Sequence, residues 1–340
     1  MDETVTITFL EGKNMRYIAS KIAEKTNNTT NDVYKLLEDD EYISSLIDKY
    51  WFLTANIQEK SIYYPLEGYL YPDTYNFENK DVSVKTIFEK MLDKMEVYYF
   101  SPTGGTKKVS SIFADAMEKE VIWHDLGSKE PMMEKPEGEM TVVASPVFGG
   151  RIPSVVREKI EKFSGTGKKA VTIAVYGNRA YEDALLEMND ILTKCGFTVI
   201  ASGAFVAQHS MAPEVGAGRP DGEDEKEIHK FAETVKNSTA VENVQVPGNR
   251  LYKPEMNLPV APISLPSCTK CGKCVTVCPT NAISVADGAV ITDIEKCILC
   301  MACTHICTEQ ARIRPLPLQQ KTEQMLGALK GVRNKNEVFL

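Results

Sequence analysis

The sequence predicts an α/β protein built around a parallel sheet, with a small α/β module before it and a cysteine-rich α+β domain after it. Three observations predict this fold class. From Glu96 to about residue 238, apolar runs that fit strands alternate with helical stretches, as in a parallel sheet with right-handed crossovers. Residues 1–94 have strand and helix periodicity of their own. Eight of the nine cysteines lie between Cys268 and Cys307.

Composition indicates a folded chain of two or three domains, with 340 residues, 43% apolar and 25% charged. The net charge of −8 argues against a nucleic-acid partner or an anionic membrane surface. No apolar run approaches the length of a membrane span, and the first residues lack the pattern of a signal peptide. We therefore predict a cytoplasmic protein whose cysteines hold metal rather than form disulfides.

The N-terminal segment, residues 1–94, reads as one strand and several helices. Val5, Ile7 and Phe9 alternate with threonines, which predicts a half-buried strand. Helical spacing predicts helices around residues 15–22, 33–37, 42–47 and 87–92. An aromatic extended passage, YYPLEGYLYPDTYNF, lies between the last two.

The middle segment, residues 95–238, is where strands and helices alternate. Strands are expected at Val97–Phe100, Thr141–Ser145, Lys169–Tyr176 and Phe197–Phe205, with an acidic helix after the last. Five prolines then make residues 239–266 a linker that is not expected to pair regularly. The cysteine domain is assigned to 267–315, and a polar helix and tail to 316–340.

The cysteines form two runs with the spacing C-x2-C-x2-C-x3-C, the first starting at Cys268 and the second at Cys297. Three cysteines at every third position present thiolates to one side of a cubic cluster. Two structural zinc sites are the alternative, but those use pairs of C-x2-C hairpins. We expect metal ligation by all eight: Cys268, Cys271, Cys274, Cys278, Cys297, Cys300, Cys303 and Cys307.

This spacing resembles that of bacterial two-cluster ferredoxins, in which the fourth cysteine of each run binds the other cluster. The resemblance implies two [4Fe–4S] clusters. Cys268, Cys271, Cys274 and Cys307 would hold one, and Cys297, Cys300, Cys303 and Cys278 the other.

A second cofactor motif, Ser101-Pro102-Thr103-Gly104-Gly105-Thr106, lies between a predicted strand and a predicted helix. Backbone N–H groups, hydroxyls and the positive end of a helix dipole suit a phosphate there. The motif lacks the lysine of a P-loop and the G-x-G-x-x-G of a Rossmann site. It resembles the phosphate loop of flavodoxins, which implies a flavodoxin-like doubly wound sheet that binds FMN at its switch point.

By this resemblance, the loops after two later strands would hold the flavin ring. Phe148 or Tyr176 would stack on it, unless these aromatics only pack at strand ends. Cys195 is expected to be buried and His209 to have a loop role. The predicted FMN contacts are Ser101, Thr103, Gly104, Gly105, Thr106, Pro146, Val147, Phe148, Gly149, Tyr176, Gly177 and Asn178.

The N-terminal segment resembles a different family. TITFLEGKNMRYIASKIAEK and LEGYLYPDTYNF are similar to the N-terminal part of endolytic murein transglycosylases. Those enzymes are membrane-anchored and use a catalytic glutamate on a later helix; here the flavodoxin-like strand takes that place, and no anchor precedes TITFLEG. Glu67 belongs to the matching motif, where the resemblance implies a structural role. The segment reads as a truncated module joined in frame at Met95.

The favoured interpretation is an electron-transfer flavo-iron–sulfur protein with unknown redox partner proteins and no assigned catalytic residue. A flavodoxin-like domain fused to a two-cluster ferredoxin resembles known bacterial and archaeal fusion proteins. Two alternatives remain: a peptidoglycan-binding or lytic protein, suggested by LEGYLYPDTYNF, and an FMN-dependent reductase of a small molecule, which needs the same cofactors.

Overall fold

The computed structural model describes residues 4–50, 53–132, 134–136, 138–256, 258–286 and 288–340. The chain divides into two compact units. The first comprises Met1–Met95 with Glu137–Glu139, and the second comprises Glu96–Pro136 with Met140–Leu340. Among the described residues, no helix is both long enough and apolar enough to cross a bilayer.

In its described residues, the first unit packs four α-helices with a two-stranded antiparallel sheet, in which Val5 is opposite Phe77. Val5 and Ile7 are buried while Thr6 and Thr8 are exposed, because successive side chains of a strand face opposite sides. Its elements are β1 (Val5–Thr8), α1 (Met15–Lys25), α2 (Thr30–Leu37), α3 (Asp40–Lys49), β2 (Thr74–Phe77) and α4 (Val84–Leu92).

The second unit is built on a six-stranded sheet covered by helices. The elements up to the linker are β3 (Lys94–Tyr99), α5 (Gly105–Met117), β4 (Glu120–Asp125), β5 (Met140–Pro146), α6 (Ser154–Ile160), β6 (Lys169–Tyr176), α7 (Ala184–Lys194), β7 (Thr198–Val206) and α8 (Gly222–Lys236). These strands lie in the order β4-β3-β5-β6-β7, and a strand from the C-terminal end of the chain pairs with β7. The order corresponds to 2-1-3-4-5 along the chain, which is the flavodoxin-like topology. This confirms the predicted fold class.

Apolar faces of the helices cover the sheet. α5 packs against α8, where Phe113 and Phe231 have ring centroids 5.4 Å apart, and α6 packs against α7. The central strand β6 has seven buried residues of its eight, since a strand covered on both faces carries few polar positions.

Two expectations about this unit were wrong. β4 was missed, because Glu120–Asp125 is a short edge strand with mixed polarity rather than a clean apolar run. The linker was expected not to pair, yet its end, Ile263–Ser264, pairs antiparallel with Arg312–Ile313 inside the cysteine domain.

The cysteine domain consists of two similar halves. Its elements are β8 (Ile263–Ser264), α9 (Lys273–Thr276), β9 (Ile283–Ala286), β10 (Ala289–Thr292), α10 (Ala302–His305) and β11 (Arg312–Ile313). Gly272 directly follows Cys271 and precedes α9, just as Met301 follows Cys300 and precedes α10. Both have φ in the left-handed region, at 79° and 64°. The repeat in sequence is therefore also a repeat in backbone conformation.

Residues 316–340 form the expected helix but not only a tail after it. Helix α11 (Leu316–Leu326) is followed by β12 (Glu337–Phe339), which joins the sheet antiparallel to β7. The C-terminal segment thus completes the flavodoxin-like sheet.

Candidate functional site

The predicted phosphate loop connects β3 to α5. Gly104 has φ +88°, a conformation that glycine adopts without steric cost, and it precedes the first helical residue. No side chain caps the helix there, although Ser101 Oγ accepts the Lys107 N–H at 2.9 Å. The N–H groups of Gly105 and Thr106 have no intrahelical acceptor, as in any first helical turn. The loop therefore offers free donors to an anion.

A cavity of about 340 Å³ opens beside this loop. That volume is within the range of small-molecule sites. Its walls include eleven residues from the loops that the sequence singled out, among them four of the five predicted phosphate contacts. They are Ser101, Pro102, Thr103, Gly105, Thr106, Pro146, Val147, Phe148, Gly149, Tyr176 and Gly177.

Asn178 is not brought to this cavity. Its side chain is fully buried, donates to Val332 O at 2.7 Å and accepts the Asn334 N–H at 3.0 Å. Gly104 is likewise absent from the walls, since it provides the turn rather than a contact. Tyr176 lines the cavity, but its hydroxyl donates to Lys335 O at 2.6 Å. Burial raises the pKa of that phenol to about 12.

His209, which was expected to have a loop role, lies in the loop after β7 and also lines the cavity. Its Nδ1 accepts the Met211 N–H at 3.1 Å, so a neutral ring carries its proton on Nε2. Burial, then the charges of Arg314 and Arg179, lowers its pKa to about 4. The ring lies against Gly177, where an added Cβ would be 2.4 Å from it.

Cys195 lies away from this cavity. It was expected to be buried, but it is only half-buried, and its thiol contacts the backbone at the end of α6. Its position at the end of α7 leaves the thiol at the edge of the packed helices rather than beneath them.

The opposite wall of the cavity is apolar and comes from parts of the chain beyond the flavodoxin-like strands. These residues come from the loop after β7, the linker, the second cysteine run and α11. They are Met211, Met256, Leu258, Leu299, Leu318, Met325 and Leu326.

The eight cysteines surround two further cavities. One, here called the outer cysteine cavity, is lined by Cys268, Cys271, Cys274 and Cys307. The inner cysteine cavity is lined by Cys278, Cys297, Cys300 and Cys303. Each combines three cysteines of one run with the fourth of the other, as in the crossed ligation that the resemblance implied.

The two cysteine cavities differ in exposure. Cys278, Cys300 and Cys303 are each at most 9% exposed, whereas Cys271 is exposed, with the exposed Lys270 and Lys273 beside it. Burial raises the pKa of the Cys300 thiol to about 12 and also raises the pKa of Cys297. Thiolates at Cys297 and Cys300 therefore need a cationic group beside them. The donor set therefore suits a metal centre.

Among the described residues, no three His, Cys, Asp or Glu side chains converge as the ligands of one metal ion do. Four cysteines line each cysteine cavity, and four cysteines are the ligand set of a [4Fe–4S] cluster in ferredoxins.

Leu299 and Cys300 line both the inner cysteine cavity and the 340 Å³ cavity. Leu299 is 4% exposed and packs with Met301 and Leu318, while Cys300 packs in the apolar core of the flavodoxin-like sheet. These two residues thus form a wall that both sites share.

A fold of this kind with two four-cysteine sites defines an iron–sulfur protein. Residues 264–312 match the 4Fe-4S dicluster domain. The chain is also 34% identical over 65 residues to an uncharacterized ferredoxin-like protein of Haemophilus influenzae, in a match that covers 17% of this chain and 76% of that protein. Through this segment the chain belongs to the ferredoxin-like proteins.

The N-terminal part of the chain is similar to a second family. Residues 1–145 match the YceG-like family. Over 93 residues the chain is 34% identical to the endolytic murein transglycosylase of Bacillus subtilis, covering 27% of this chain and 26% of that one. The chain therefore spans about a quarter of that relative's length.

Among solved structures, an archaeal flavodoxin is similar with a TM-score of 0.34 and 18% identity, covering 42% of this chain and 96% of that one. The flavodoxin-like assignment of the sheet comes from its strand order.

Proposed function

We propose that the second unit is an electron-transfer module that holds FMN in the 340 Å³ cavity and a [4Fe–4S] cluster in each cysteine cavity. The ferredoxin-like segment supports an electron-transfer role. FMN exchanges two electrons and each cluster one, so together they convert between two-electron and one-electron chemistry.

The shared wall is the observation that carries this proposal. Leu299 and Cys300 separate the flavin cavity from the inner cysteine cavity without any intervening layer of the protein. Two redox centres held on either side of one ligand residue would be close enough for direct electron exchange. The phosphate loop and the second cysteine run lie far apart along the chain, so their order does not predict this proximity.

The chain's own residues have distinct roles in this arrangement. The first turn of α5 and the hydroxyls of Thr103 and Thr106 would bind the FMN phosphate. The apolar wall with Leu318, Met325 and Leu326 would exclude water from the ring. Exposed Cys271, with its neighbouring lysines, favours the outer cavity as the place where a redox partner protein docks.

Cys300→Ala and Cys271→Ala form a matched pair that tests the proposal, because each is the second cysteine of its run. In cofactor-loaded protein, flavin is photoreduced and cluster absorbance is followed in time. Cys300→Ala is expected to abolish fast electron transfer from flavin, whereas Cys271→Ala preserves transfer to the remaining cluster. Equal behaviour of the two variants would contradict the proposed route.

We infer that the first unit takes no part in the redox chemistry. Its Glu67 accepts the Met15 N–H at 3.1 Å, at the start of α1, which is a structural role. A chain beginning at Met95 is expected to retain FMN and both clusters, and the fragment 1–94 to release no anhydro-muropeptides from peptidoglycan. Loss of cofactors, or glycan cleavage, would contradict the proposed boundary between residues 94 and 95.

A further inference from the structure

Arg312 and Ile283 occupy the same place in the two halves of the cysteine domain. Each lies five residues after the last cysteine of its run and directly follows a buried alanine. Ile283 lines the inner cysteine cavity and is 5% exposed; Arg312 lines the outer one and is 4% exposed. One half therefore places an apolar side chain beside its cysteines where the other places a cation.

The Arg312 guanidinium is incompletely partnered by protein. It donates to Ser264 Oγ at 3.0 Å and to Thr292 Oγ1, which are both neutral hydroxyls. Its buried Nε has no acceptor among the residues that the structure describes. No carboxylate of the described residues lies at ion-pair distance from the Arg312 guanidinium.

Such a cation is costly to bury without an anion. A guanidinium is a permanent cation in proteins. The outer cysteine cavity is the candidate source of negative charge, because four thiolates around a [4Fe–4S] core give a net anion. Arg312 lines that cavity together with its four cysteines.

We propose that Arg312 is the counter-ion of the cluster in the outer cysteine cavity and raises its reduction potential above that of the inner cluster. Its Nε–H would donate a hydrogen bond to cluster or cysteine sulfur. This inference rests on the proposed function. Positive charge and hydrogen bonds to sulfur both favour the reduced, more negative cluster.

The difference between Ile283 and Arg312 would give electron transfer a direction. An electron passed from a bound flavin across Leu299 and Cys300 would reach the inner cysteine cavity first. A higher potential in the outer cysteine cavity would then favour its transfer toward exposed Cys271, where a partner could accept it. Arg312 thus acts by raising the reduction potential of the outer cluster, not as a ligand of it.

The test is a redox titration of cofactor-loaded protein followed by EPR, comparing wild type with Arg312→Gln, Arg312→Lys and Arg314→Gln. Arg314→Gln is the matched control, since it removes the same charge two residues further along the chain, just after β11, and Arg314 lines neither cysteine cavity. Arg312→Gln is expected to lower the midpoint potential of one cluster by at least about 59 mV. For a one-electron couple this is a tenfold change in the reduced-to-oxidised ratio. The affected midpoint should be that of the cluster retained in Cys278→Ala, and Arg312→Lys should lie between.

Unchanged midpoints in Arg312→Gln, or an equal shift in Arg314→Gln, would overturn the proposal. If Arg312→Gln does not assemble its clusters, Arg312→Lys decides, because it keeps the charge and loses the Nε–H; a wild-type midpoint there would contradict the hydrogen bond. Wild-type protein that binds no iron would refute the proposed function instead, so the two failures are distinguishable.

Discussion

Asn178 and Asn334 bind each other's backbone. The Asn334 N–H donates to Asn178 Oδ1 at 3.0 Å, and Asn334 Nδ2 donates to Asn178 O at 2.7 Å. Asn178 directly follows Gly177 of the 340 Å³ cavity, while Asn334 lies between α11 and β12. This pair therefore fastens the C-terminal segment beside the cavity that its helix covers.

Asn334→Ala is expected to loosen this cover. Loss of side-chain hydrogen bonding at a partly buried site should cost about 1–3 kcal/mol and weaken FMN binding, because α11 supplies apolar wall. Flavin fluorescence on release measures the affinity. Asn243→Ala is the control, because it also removes a side-chain hydrogen bond to backbone. Asn243 Oδ1 accepts the Val199 N–H at 2.7 Å, near the start of β7. Equal loss of FMN affinity in both variants would contradict the role of Asn334.

The phosphate loop predicts a difference between two ligands. Replacing Thr103 and Thr106 with alanine should weaken FMN by roughly 1.5–3 kcal/mol for each lost hydrogen bond to the phosphate. Riboflavin lacks the phosphate, so its affinity should change little. Fluorescence titration of the cluster-loaded protein with each flavin measures both. An equal loss for FMN and riboflavin would show that this loop does not bind phosphate.

Crossed ligation predicts which variants resemble each other. Cys278 lines the inner cysteine cavity although it belongs to the first run. The EPR spectrum of reduced Cys278→Ala should therefore match that of Cys297→Ala, in which the inner cluster is also lost. A match with Cys268→Ala instead would mean that each run binds its own cluster.

His209 predicts a dependence of stability on pH. Its pKa is about 4 in the folded protein, against 6.5 ordinarily, because the ring is buried near Arg314 and Arg179. As pH falls from 6.5 to 4, the unfolded chain takes up a proton that the folded one does not, so stability decreases. His209→Gln should lose less stability than wild type between pH 7.5 and 5, by urea unfolding. The exposed His229→Gln serves as control, and parallel pH profiles for wild type and His209→Gln would contradict the prediction.

Sequence periodicity predicted the elements that a covered sheet requires. β6 was placed at Lys169–Tyr176, as the structure has it, because a run buried on both faces is continuously apolar. β4 and β12 were not predicted from the sequence, because edge strands carry mixed polarity and few residues. Pairing of Glu337–Phe339 with β7 is a long-range contact that local pattern does not encode.

The candidate site was predictable only where a motif is local. The spacing of the cysteines and the SPTGGT turn each place their residues within a few positions of one another. The apolar wall with Leu318 and Met325 depends on the return of the chain to the sheet. Arg312 is equally invisible to local pattern, since its significance comes from burial without a carboxylate.

Metal, sulfide and flavin analysis of anaerobically purified protein, with its absorption spectrum, tests the central claim most directly. Two [4Fe–4S] clusters and one flavin predict about eight iron, about eight sulfide and about one FMN per chain. Photoreduction of that flavin should bleach the cluster absorbance in the same sample. Zinc in place of iron, about four iron in fully reconstituted protein, or clusters that stay oxidised beside reduced flavin would contradict it.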